Sequence, residues 1–189
     1  MNNFLSIVRT LLSWALYAVL VDMMKFKISY AAFIAIVVSI LLNYKLLYKG
    51  FILNWVILIC LFLVLIMGLI GRDSIITKDP WMMASGILAV IAWGSLLIKK
   101  PFSLQYAKNS IASDKWQHPL FVRINQIVTM IWGLIFTIGF SLHLFIFLQP
   151  GEHGFIIILI YLLSIVGIVL TISYPKYACN KAMKTIVQR

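Results

Sequence analysis

The sequence predicts an all-α protein, a polytopic bundle of about six transmembrane helices, or of five with one interfacial helix at the N-terminus. Three observations carry this. Apolar residues make up 63% of the chain and charged residues only 11%, against about 45–50% and about 25% in soluble domains, which leaves too little polar sequence to cover a water-facing surface. The mean hydropathy is +1.03. The apolar residues also come in runs long enough to cross a hydrocarbon layer, separated by short basic links.

A spanning helix needs roughly 20 mainly apolar residues. The first run, Phe4 to Val21, is interrupted by Arg9. A charge at the bilayer centre is costly, but Arg9 is near one end and its stem can reach the headgroups. This run therefore either spans or lies as an interfacial or re-entrant helix. Tyr30 to Tyr44 follows, apolar at its centre, and Phe51 to Gly71 is the clearest span. Pro80 to Ile98 comes next, with proline in the first turn, where its missing N–H does no harm. Ile124 to Leu148 is long enough to cross with tilt. Phe155 to Tyr174 completes the set, and Pro175 is expected to stop it. The chain thus reads as one integral membrane domain over 1–189, with a basic amphipathic connection at 99–123 and a basic tail at 175–189.

The charge is +11. Its placement between apolar runs marks membrane orientation rather than nucleic-acid binding. Lys45, Lys49, Lys99, Lys100, Lys108, Lys115, Arg123, Lys176, Lys181, Lys184 and Arg189 fall on one side. Lys25, Lys27, Arg72 and Lys78 fall on the other. Eleven against four, with Arg9 left aside, places the 99–123 connection and the C-terminus in the cytoplasm. Cys60 lies in a span and Cys179 in the tail, so no structural disulfide is expected and no CxxC motif occurs.

Ionisable groups inside spans are the usual sign of a pump or membrane enzyme, and here they are few. Asp22, Asp73, Asp79, Asp114 and Glu152 all fall at helix ends or in links. His143 is the one histidine within a span and is a possible intramembrane polar site, although a histidine hydrogen-bonded inside the bundle explains it as well. Ser141 and His143 are two residues apart on a helix and do not share a face, so they form no nucleophile–base pair. No metal-ligand spacing and no cofactor motif is present. Small residues are expected to pack helices: Gly133, Thr137 and Ser141 at steps of four, Ser85 with Ala89, and Gly167 between Ser164 and Thr171. These strips serve bundle packing or a homo-oligomer face. Trp55, Trp81, Trp116, Tyr30, Tyr44, Tyr48 and Tyr174 read as interface anchors.

The connection KKPFSLQYAKNSIASDKWQHPLFVR (99–123) is the one segment that is not membrane filling. Pro101 can open a short helix with Leu104, Ala107 and Ile111 on one face and Phe102 and Tyr106 beside it. Ser113 or Asp114 is expected to cap a second turn carrying Trp116. Such a segment lies on lipid headgroups or docks a partner, with Lys99, Lys100, Phe102, Tyr106, Lys108, Lys115 and Trp116 as the candidate contacts.

The order of these features resembles the intracellular septation protein A family of bacterial inner-membrane proteins. The matching stretches are FLSIVRTLLSWALYAVLVD (4–22), YAAFIAIVVSILLNYKLLYKG (30–50), the link GRDSIITKDP (71–80) and LLIKKPFSLQ (96–105), then Trp116 and Arg123-Ile124-Asn125. The chain departs from the family pattern in placing Trp132 seven residues after Asn125. The resemblance implies a multi-pass protein of the bacterial inner membrane that supports septation and envelope integrity. Membrane lipids and division or cell-wall elongation proteins are the partners it implies, with no enzymatic reaction. A small carrier or channel, drawing on Asn43, Asn54, Thr137 and His143, is the alternative. A lipid-acting enzyme using Lys99, Lys100 and His118 is the third.

Overall fold

A computed structural model describes residues 12–17, 19–23, 27–71, 80–109, 111–149, 151 and 153–187. Among them every regular element is helical. A short helical stretch over 12–17 and a π-helical turn, Val19–Met23, precede six α-helices. These are α1 Ile28–Tyr48, α2 Ile52–Ile70, α3 Pro80–Leu97, α4 Phe102–Lys108, α5 Pro119–Leu148 and α6 Gly154–Val187. Four of them, α1, α2, α5 and α6, are long and apolar enough to cross a membrane. A fifth span results if α3 and α4, bent by 80° at their junction, are counted together. Arg9, on which the expected sixth span turns, lies outside the described residues.

The chain divides into two compact units, Met1–Ala84 and Ser85–Arg189. In the first, Ser13, Trp14, Tyr17 and Leu20 are buried. Their spacing is that of one helical face, so the part of the first apolar run that is described packs against protein. On α1 the buried positions Ala31, Ala32, Ala35, Ile36, Ser39 and Asn43 again follow one face. On α2 they are Leu53, Asn54, Ile57, Leu58, Leu61 and Val64. The two helices form an antiparallel hairpin, tight enough that a Cβ on Gly68 would stand 3.1 Å from the Ser29 backbone nitrogen. The turn between them is a Schellman motif: Gly50 N–H donates to Leu47 O and Phe51 N–H to Leu46 O. Gly50 takes the left-handed conformation this demands (φ +72°), and Phe51 is buried against the hairpin end.

In the second unit α3 and α5 are antiparallel. A Cβ on Gly139 would meet Ser85, and one on Gly133 would meet Ala92 and Trp93. α5 and α6 are antiparallel as well, joined by the short 149–153 link and in contact where Gly167 meets Trp132 and Ile135. The ends of α3 and α6 and the start of α5 therefore share one end of this unit. The basic 99–118 connection lies there with Lys176, Lys181 and Lys184. At about 45 and 51 Å, α5 and α6 exceed a hydrocarbon thickness of about 30 Å.

Two boundaries differ from expectation. α5 begins at Pro119 rather than Ile124, because His118 caps it: Nδ1 accepts from Leu120 N–H at 3.2 Å, and Pro119 occupies the first helical position. Pro175 does not stop the last helix, which continues to Val187. Proline removes one backbone bond and strains one turn, and the helix-favouring residues that follow, among them Lys176, Ala178, Lys181 and Ala182, carry the helix on.

Candidate functional site

The site is the segment that joins α3 to α5. α3 ends in a second Schellman motif, with Lys99 N–H donating to Leu96 O and Lys100 N–H to Ser95 O. The residue at the left-handed position is Lys99 (φ +56°), where the first unit has glycine. Pro101 follows, fully buried. Ser95 Oγ accepts from Phe102 N–H at 3.1 Å and donates to Ala92 O at 2.8 Å, which ties the start of α4 to the last turns of α3. The turn is thus held on both sides of its two lysines.

α4 is pinned to α5 by a buried polar cluster. Ser103 Oγ donates to Asn125, reaching the backbone carbonyl at 2.9 Å and Oδ1 at 3.2 Å, and lies 2.9 Å from Thr129 Oγ1. Asn125 Nδ2 donates to Phe121 O at 2.8 Å. Asn125 and Thr129, one turn apart, present a polar stripe in the first half of α5. Ser103, Asn125 and Thr129 are all buried, so each bond is made where water cannot replace it. The result is a short helix fixed at a steep angle to α3 instead of a free loop.

This corrects two of the expected contacts. Phe102 and Tyr106 are buried, not offered to lipid or partner. The sequence places Phe102 and Tyr106 beside an apolar face of Leu104, Ala107 and Ile111, but the helix stops at Lys108 and the residues it buries are Phe102, Ser103 and Tyr106. The cations remain outside. Lys99, Lys100 and Lys115 are exposed, and Lys108 is half-buried with Nζ 5.1 Å from the Trp116 ring centroid. Trp116 is exposed and donates Nε1–H to Ile111 O at 3.0 Å. The turn Ser113–Lys115 has Ala112 at its N-cap, so neither Ser113 nor Asp114 caps it.

The small-residue strips also do something more specific than bring backbones together. Thr137 donates to Gly133 O at 2.8 Å and accepts from Trp93 Nε1–H at 3.0 Å. Thr171 likewise donates to Gly167 O at 2.8 Å and accepts from Trp132 Nε1–H at 2.9 Å. Each Gly-xxx-Thr is a socket: the glycine leaves room for the indole ring and the threonine receives its N–H. Ala89 is buried, and Ser85 sits across from Gly139, as expected of packing residues. Ser141, eight residues past Gly133 and turned by about 80° from it, is exposed and bonds Thr137 O on its own helix.

His143 is half-buried on α5. His118 spends Nδ1 as a helix cap. Cys60 and Cys179 are free thiols, and no cluster of metal-ligating side chains occurs among the described residues. Ser95, Ser103 and Thr129 escaped the sequence reading. The signal for Thr129 was present in the polar Asn125–Thr129 step on α5, but nothing local names Ser103 as its partner. No family model, curated protein or solved structure matches this chain.

Proposed function

We propose that this is a non-enzymatic, multi-pass protein of a bacterial inner membrane that supports septation and envelope integrity through partner or lipid contacts of its cytoplasmic basic connection. The support for the envelope role is the residue pattern of LLIKKPFSLQ, Trp116 and Arg123-Ile124-Asn125. One observation carries the choice of surface: the Ser103–Asn125–Thr129 lock fixes α4 against α5, with Lys99, Lys100, Lys115 and Trp116 exposed on either side of it. Ser103, Thr137 and Thr171 of the second unit serve helix contacts. Thr137, which a carrier reading would place along a pathway, holds the Trp93 indole.

Photocrosslinking in cells from positions 100, 108 and 115 tests the reading. Recovery of division or cell-wall elongation proteins is the expected outcome. Normal septation, cell shape and envelope-stress tolerance in a deletion strain would refute it.

A further inference from the structure

We infer that the α3–α4 turn is a binding site for the headgroups of anionic phospholipids, with Lys99 and Lys100 as its cations. The inference rests on the membrane part of the proposed function and is independent of septation.

The chain builds the same six-residue helix ending twice. At the end of α1 the left-handed residue is Gly50, and a Cβ there would meet nothing within 4 Å. The residue after it, Phe51, is buried and completes the motif with an apolar contact. At the end of α3 the left-handed residue is Lys99 and the following one is Lys100, both exposed. A lysine is strained in that conformation and glycine is not. The second lysine also gives up the apolar contact that usually accompanies the motif. The turn thus forgoes both of its local stabilising features and gains two adjacent ammonium groups on a backbone held by Ser95 and by buried Pro101. Strain kept at one site and absent from its twin points to a use for the side chain.

The surroundings select the occupant. Leu97 and Ile98, immediately before the lysines, are 83% and 63% exposed. Apolar side chains that pass directly into paired cations match the border between acyl chains and phosphates. On the far side of α4, Lys108, Lys115 and exposed Trp116 continue the same combination of charge and amphipathic ring. From Lys99 to Arg123 there are five Lys or Arg residues and a single acid, Asp114, so the complementary ligand is an anion. The exposed leucine and isoleucine make that anion a lipid headgroup rather than a soluble phosphate.

The test uses the full-length protein in uncharged detergent, with its thermal midpoint read after adding phosphatidylglycerol or phosphatidylcholine. Phosphatidylglycerol is expected to raise the midpoint more than phosphatidylcholine. Lys99→Gln with Lys100→Gln should lose more than half of that difference, and Lys45→Gln with Lys49→Gln, at the glycine turn, should lose little. Lys99→Gly relieves the strain, so it should raise the lipid-free midpoint while shrinking the phosphatidylglycerol shift, and it decides the matter if the double variant does not fold. An undiminished shift in the Lys99 variants, equal shifts with both lipids, or the same shift from soluble glycerol phosphate would each overturn the inference. None of these results bears on the crosslinking or deletion outcomes above.

Discussion

Both units hold antiparallel helices together, and they use different chemistry to do it. In the first, α1 offers alanines at its buried positions and α2 brings Gly68 against the Ser29 backbone. At Gly68 the nearest neighbour is main chain, the Ser29 nitrogen, which cannot step aside. In the second, helices meet through large rings seated in Gly-xxx-Thr sockets and through the Ser103–Asn125–Thr129 cluster. The contact there is directional. Hydrogen bonds fix which turn meets which, and the side chains around each glycine have some freedom to move. A bilayer gives little hydrophobic reason for one helix to prefer another, so close backbone approach and polar bonds are the two available solutions. Close approach is seen at Gly68 in the first unit, and the Trp93, Trp132 and Ser103 hydrogen bonds are seen in the second.

The comparison breaks most sharply at the glycines. Gly68→Val should cost about 3 kcal/mol, because the added carbons meet backbone that cannot retreat. Gly167→Val should cost about 1–2 kcal/mol, because its closest neighbour is the flexible end of Ile135. Denaturant titration in mixed micelles gives both values, and the reverse order would show that the sockets, not the hairpin, are the rigid contact. Next, Ser103→Ala should cost about 2 kcal/mol by leaving Asn125 and Thr129 without their buried partner. Its signature is faster amide exchange over Phe102–Lys108 with α5 still protected. Uniform acceleration along α5 would mean that α4 is not separately pinned. The smallest effect concerns the twin turns. Gly50→Ala should destabilise, and Lys99→Gly stabilise, by about 1 kcal/mol each. Two changes of the same sign would remove the contrast on which the lipid site is built.

The helices themselves were legible because a long apolar run admits few alternatives in lipid, where every backbone group must be bonded within its own segment. α2 appears almost where its composition placed it. Ends were less legible. Pro175 has the chemistry of a helix stop, but the residues after it favour helix, and local strain did not decide the outcome. His118 caps α5 through a ring nitrogen, which is not the usual cap and is not visible in a pattern of Ser, Thr, Asp and Asn.

The candidate site shows the same division. Lys99, Lys100, Lys115 and Trp116 were read as outward groups of a basic segment, and they are exposed. Phe102 and Tyr106 were read with them and are buried. A seven-residue helix has too few turns for its apolar spacing to declare a face, so a bond made 22 residues away in sequence, from Ser103 to Asn125, settled the matter. The strips at Gly133 and Gly167 were found for the right reason, small volume. That they seat tryptophans depends on which helix arrives opposite them.

By itself, then, the sequence determined that this is a chain of long apolar helices with its positive charge gathered toward their ends and in the links, since composition and run length act residue by residue. Tertiary structure decided that α4 is pinned to α5, that α3 ends on a strained lysine, and which polar side chains are spent inside. Those outcomes depend on pairs of residues far apart in the chain. A buried hydroxyl or indole must find its partner wherever packing brings one, and no local pattern specifies where that will be.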